Sequence, residues 1–185
     1  MDAVIMNPDA DISISHGAVV LGRDADTDIV NIEALYDLYS RGLFRYARAL
    51  VNSAEDAEDA VQEVFVRIAR NAEDLGSVGD MRRYLLKATR NAVYSILRGR
   101  RRRKRLVENA AEYLSSARNE PDSEAETILE TFAALPPQQR EVLALKVFQG
   151  LTFREIAGVI GKSQNTAASR YRLAIERLRA AAGEE

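Results

Sequence analysis

Cations and amides, rather than nucleophiles or metal ligands, are the residues of this chain with chemistry to offer. Between Arg82 and Arg105 stand eleven Lys or Arg and no Asp or Glu, an array suited to the phosphates of a polyanion. A second set lies near the C-terminus, where Gln164, Asn165, Thr166 and Ser169 are followed by Arg170 and Arg172, with Lys162 just before them. Polar groups of the first kind suit base edges, and cations of the second kind suit the flanking phosphates. Catalysis has little to work with. The chain has no cysteine and a single histidine, His16, which excludes disulfides, thiolate metal sites and histidine metal clusters. With no nucleophile or acid–base pair in view, the protein is not expected to be an enzyme, and no cofactor is expected.

The charge is sorted into blocks. Residues 1–81 carry net −10, residues 82–105 net +11, residues 106–131 net −6 and residues 132–185 net +3, so that the formal −2 of the whole chain hides strong local fields. Fields of this kind steer nucleic acid whatever the overall balance. No apolar run approaches the ~20 residues a membrane span needs, and the N-terminus lacks the pattern of a signal peptide. The expectation is a cytoplasmic protein without membrane insertion.

The elements that must position these residues read as helices only. Residues 1–30 lack helical spacing and read as a disordered tail. From Ile32 onward, Leu35, Tyr36, Tyr39, Leu43, Phe44, Ala47 and Leu50 recur at three- and four-residue steps, the signature of an amphipathic helix. Asn52 or Ser53 can cap a second helix through Ala60, Val61, Val64, Phe65 and Ile68, with Glu55, Asp56, Glu58 and Asp59 at its positive end. Gly76 and Gly79 open a loop, and a third helix runs from near Asp80 through Tyr84, Leu85, Ala88, Ala92 and Ile96 into the arginine run. That helix carries Arg82, Arg83, Lys87 and Arg90 before Arg98 and Arg100–Arg103, so one element presents cations along its length. The segment 106–127 reads as a flexible acidic linker.

The second domain, 128–182, contains the most specific local grammar. Pro136 and Pro137 start a helix with Val142, Leu143, Leu145 and Phe148 on its apolar side, ended by Gly150. Thr152 and Glu155 form a T-x-x-E capping box, with Leu151 and Ile156 as a hydrophobic staple. The short helix ends at Gly161, and Ser163 caps a long one over 164–179 whose Ala167, Tyr171, Ala174, Ile175 and Leu178 face the core. Helix, glycine turn and second helix describe a helix-turn-helix.

The stretches DAEDAVQEVFVRIAR (56–70), MRRYLLKATRNAVYSILRGRRRR (81–103) and LPPQQREVLALKVFQGLTFREIAGVIGKSQNTAASRYRLAIERLR (135–179), in this order, resemble bacterial RNA polymerase sigma factors of the extracytoplasmic-function (ECF) type in the sigma-70 family. The resemblance implies an all-α fold of two small helical domains, a region 2 bundle over 31–105 and a region 4 helix-turn-helix over 128–182, joined by a flexible linker. It implies core RNA polymerase and promoter DNA as partners, with an anti-sigma factor as a further one. Asp56, Asp59, Gln62 and Glu63 match the polymerase-binding segment. The loop from about Asp74 to Asp80 matches the segment that pockets an unstacked base, and Asn91 matches the asparagine beside it. Arg82, Arg83, Lys87, Arg90, Asn91, Arg98, Arg101 and Arg102 form the expected minus-ten DNA set. Lys162, Gln164, Asn165, Thr166, Ser169, Arg170 and Arg172 form the expected minus-thirty-five set.

Four positions depart from the family pattern. Tyr84 stands where the family usually has tryptophan, Ser95 where an aspartate is common, and Ala167-Ala168 where a valine and a lysine are frequent. A stand-alone helix-turn-helix regulator is the alternative function, but it has no need of an acidic helix followed by a basic one.

Overall fold

The computed structural model describes residues 32–51, 53–71, 78–108 and 130–183, all of whose regular structure is helical. The tail, residues 72–77 of the expected base-pocketing loop, and most of the acidic linker lie outside the described residues.

Three helices make the N-terminal bundle: α1 (Ile32–Val51), α2 (Ala54–Arg70) and α3 (Met81–Glu108). The second and third begin on a side chain that satisfies otherwise unpaired backbone groups of the helix terminus. Ser53 accepts the Asp56 N–H at 3.3 Å and so caps α2. Asp80 accepts the Arg83 N–H at 2.9 Å at the start of α3. The apolar stripes of α1 and α2 meet through Leu35, Leu43, Ala47, Leu50, Val61, Val64 and Ile68, and Met81, Leu85, Leu86 and Val93 of α3 close the bundle. Tyr84 packs against this core at partial burial, an aromatic packing role consistent with its place in the pattern. α3 runs three residues past the expected boundary at 105, so Leu106 and Val107 belong to the helix rather than to the linker.

The C-terminal part consists of the helical residues 130–134, then α4 (Pro137–Gln149), α5 (Phe153–Ile160) and α6 (Gln164–Ala181). Pro137 occupies the first turn of α4, where its missing N–H costs nothing. Gly150 and Gly161 stop α4 and α5 with φ of 64° and 66°, the left-handed region that a side chain would strain. Both halves of the Thr152–Glu155 capping box form: the Glu155 N–H donates to Thr152 Oγ1 at 3.3 Å, and the Thr152 N–H donates to Glu155 Oε2 at 2.6 Å. The Thr152 hydroxyl also donates to Glu155 Oε2 at 2.7 Å, and this bond, followed by that from the Thr152 N–H, holds the Glu155 carboxyl below its ordinary pKa. Leu151 and Ile156, the staple, are both buried.

The two parts share a core. Val142, Ala144 and Leu145 of α4, Leu151, Ile156, Val159 and Ile160 around α5, and Ala167 of α6 belong to the same apolar cluster as the N-terminal bundle. What the C-terminal part keeps to itself is small: Leu135, Leu143 and Ala174, flanked by Phe132, Tyr171, Ile175 and Leu178. α4 explains this arrangement. Residues 139–145 are buried without interruption, so the helix is covered on every side, as a helix at the centre of a core must be. Two expectations from periodicity fail at its edges. Phe148 leaves the core and is 42 % exposed, touching Phe132 edge-on, and Tyr36 is 46 % exposed with its ring packed edge-on against Phe65. In both cases a three- or four-residue step reaches the rim of a stripe rather than its centre.

Candidate nucleic-acid and polymerase interface

The cations of α3 fall on two faces. Arg83, Lys87, Asn91, Ser95, Arg98 and Arg102 follow one another by steps of three or four and are all exposed, a stripe about 28 Å long at 1.5 Å per residue. Arg83 is paired only with exposed Asp80 at 3.5 Å, a contact of little energetic weight. Arg101 is exposed beside the stripe. This face can lie along a phosphate backbone with an amide, Asn91, at its middle.

Arg82 and Arg90, from the same sequence-derived set, turn the other way. The Arg82 guanidinium donates to the Gln149 carbonyl at the end of α4. Arg90 Nε donates to Glu141 Oε1 at 2.7 Å, and its guanidinium lies 4.7 Å from the ring centre of Tyr94. Both are therefore engaged with the C-terminal helices or the contact surface beneath them, and neither is free for DNA in this structure.

On α6, Ser163 accepts the Thr166 N–H at 3.1 Å and fixes the helix start. Gln164 and Asn165 are exposed at the tip, next to exposed Lys162 in the turn. Thr166 and Ser169 are partly buried, and the Thr166 hydroxyl is 2.9 Å from that of Ser163. Thr166 is thus tied into the cap, which leaves Gln164 and Asn165 as the best-presented amides. Arg172 is exposed and 3.6 Å from Glu176. Arg170 is partly buried and close enough to Tyr94 of α3 to act on its phenol electrostatically. Ala167 and Ala174 are buried, and the Tyr171 ring packs at a tilt against that of Phe153, so the expected core-facing stripe is present.

The acidic set on α2 divides as well. Asp59, Gln62 and Glu63 share one exposed face with Val66, itself 48 % exposed. Beside them a groove of about 180 Å³ between α1 and α2 is lined by Tyr36, Ser40, Arg41, Phe44, Glu58, Val61 and Gln62. The face combines carboxylates, an amide and apolar surface, which fits a basic helical partner. Glu63 is bridged to Arg67 at 3.1 Å across one turn, both exposed. Asp56 differs: its carboxylate, largely covered, is paired with Arg100 of α3, tying the start of α2 to the arginine run.

Sequence reasoning missed the residues that join the two parts, namely Tyr46, Tyr94, Arg140, Glu141 and Gln149. The signal that could have found them is the unbroken apolar run VLAL at 142–145, directly after Glu141. A helix with apolar residues on successive faces is surrounded, and a carboxylate within it requires partners.

Comparisons agree with this geometry. The sigma-70 region 2 family model matches residues 35–103, and the sigma-70 region 4 model matches residues 125–178. The ECF RNA polymerase sigma factor SigL of Mycobacterium tuberculosis is 29 % identical over 154 residues, covering 80 % of this chain and 86 % of its own length. The ECF RNA polymerase sigma factor EcfG of Rhodopseudomonas palustris is 31 % identical over 140 residues, covering 73 % and 76 %. Among solved structures, the sigma factor RpoE of Bartonella quintana, in complex with the anti-sigma factor NepR, shares the fold with a TM-score of 0.68 at 21 % identity. That match covers 82 % of this chain and 96 % of RpoE.

Proposed function

This chain belongs to the sigma-70 family of RNA polymerase sigma factors, within its ECF type, and from that premise we propose how its surfaces divide the work of initiation. The protein binds core RNA polymerase and directs it to promoters. The exposed face of α2, with Asp59, Gln62 and Glu63, docks on a basic helical element of the polymerase, and the adjoining groove takes an apolar side chain. The α3 stripe of Arg83, Lys87, Asn91, Arg98, Arg101 and Arg102 holds the downstream promoter element. Asn91 meets bases and the cations meet phosphates. Gln164 and Asn165 at the tip of α6 read the upstream element in the major groove, while Lys162, Arg170 and Arg172 contact its backbone.

The work is done with binding energy alone. Two modest DNA contacts become one strong contact when both modules sit on the same polymerase, because the second binds at an effective concentration set by the chain between them. No covalent step is required of the protein, and its place of work is that of the polymerase, the cytoplasm. No helix among the described residues is long and apolar enough to cross a membrane. An anti-sigma factor is the expected inhibitory partner.

The observation that best supports this reading is the co-occurrence, in one chain, of an exposed acidic face, an exposed cationic stripe and a capped amide-tipped helix. A stand-alone repressor uses only the last. Co-purification with core polymerase, followed by protection of a promoter fragment, tests it: a ternary complex is expected, and duplex binding indifferent to polymerase would refute it.

A further inference from the structure

The seam between the two parts of the molecule is built around one carboxylate. Glu141 of α4 is fully buried. Its Oε1 accepts from Arg90 Nε at 2.7 Å and from the Tyr46 hydroxyl at 3.1 Å, and its Oε2 accepts from the Tyr94 hydroxyl at 3.1 Å. All three donors belong to α1 and α3. A buried carboxylate lacking such partners is strongly disfavoured, so the two parts can close over this charge only because all three donors meet it. Further bonds cross the same seam: Gln149 Nε2 donates to the Gly42 carbonyl at 2.7 Å, Arg140 Nη2 donates to the Leu50 carbonyl at 3.3 Å, and Arg82 donates to the Gln149 carbonyl.

We propose that Glu141 is an autoinhibitory latch, occupying on the free protein the anion site of Arg90, Tyr46 and Tyr94 that a promoter phosphate enters once the two parts separate. The proposal rests on the sigma-factor reading. A carboxylate and a phosphodiester are both oxygen anions that accept charge-assisted hydrogen bonds from a guanidinium and hydroxyls. Three donors already converge on one such anion, and they adjoin the exposed cationic stripe of the same helix. Closure also withholds Arg82. A cleft of about 440 Å³ runs into the seam, lined by residues of α1, α3 and the end of α4, including Arg45, Arg82 and Gln149.

The absence of cysteine makes the test direct. Arg70→Cys on α2 and Arg179→Cys on α6, both exposed, carry a pair of spin labels, and the distance between them is measured in the free full-length protein. The wild-type background gives a narrow distribution. Glu141→Gln, which keeps the shape and removes the charge, and Tyr94→Phe, which removes one donor, both broaden it toward longer distances while far-ultraviolet circular dichroism stays helical. Without polymerase, Glu141→Gln binds a promoter duplex about tenfold more tightly, and adding Arg90→Ala abolishes that gain. An unchanged distribution in both variants would overturn the latch. An opened distribution without tighter DNA binding, or a gain that survives Arg90→Ala, would overturn the shared anion site. Polymerase-dependent transcription by the same preparations reports separately on the sigma-factor reading.

Discussion

Truncating Leu145 to alanine should destabilise both halves of the molecule at once. Leu145 is fully buried on α4, in the stretch covered on every side, and belongs to the cluster that includes Leu35, Leu43 and Leu50 of α1. Removal of a leucine from such a position costs the lost transfer energy plus a cavity term, about 3 kcal/mol where the neighbours cannot collapse inward. For a cooperative unit of this size each kcal/mol lowers the melting temperature by ~2–4 °C, so Leu145→Ala should lower it by roughly 6–12 °C. The chain has no tryptophan, and Tyr84 packs on the N-terminal core. Tyr84→Trp therefore places a fluorescence probe on α3 of the N-terminal bundle. In that background Leu145→Ala, 61 positions away on the C-terminal side of the linker, should shift the fluorescence transition as far as the loss of total helicity. A fluorescence midpoint that stays in place while helicity melts in two steps would refute the shared core.

Asn165→Ala should alter base preference at the upstream element, with a discrimination loss of ~1–3 kcal/mol read by competition between promoter variants. Unchanged preference would remove it from the reading set. Glu63→Arg should weaken holoenzyme assembly without lowering folding stability by more than about 0.5 kcal/mol, since its bridge to Arg67 is exposed; normal assembly would count against the α2 docking face. Burial, then the negative charge of Glu141, raises the Tyr94 phenol to about 12 from an ordinary 10.0. The folded protein therefore holds this proton more tightly than the unfolded chain. The associated stability is complete below pH 10 and is lost as the pH rises from there through about 12. Melting temperature should fall more steeply over this window in the wild type than in Tyr94→Phe, and parallel curves would contradict the buried contact.

Local grammar was legible in the sequence because its physics is local. The Ser53 cap, the Thr152–Glu155 box, the glycine stops at 150 and 161 and the Ser163 cap each depend on residues within a few positions of one another, and each is where the spacing puts it. The exposed members of the α3 and α2 sets were legible for the same reason. The seam was not. Tyr46, Arg90, Tyr94 and Glu141 come from three helices, and no periodicity links them. Arg90 illustrates the difficulty: a cation on an amphipathic helix reads the same whether its anion is a phosphate or a carboxylate on a distant helix. The family resemblance likewise put Asp56 in the polymerase-binding set, and in the fold its carboxylate is paired with Arg100, toward the far end of α3. The packing of the two domains on each other was not legible either: the C-terminal helices leave little apolar surface among themselves and complete their burial on α1 and α3.

Transcription from a pool of promoter fragments by bacterial core RNA polymerase, with and without the purified protein, tests the central claim most directly. Discrete new start sites that require the protein, sharing two separated upstream elements, are predicted. Binding of the protein to duplex DNA with no protein-dependent start site, using core enzyme from the same organism, would contradict the account.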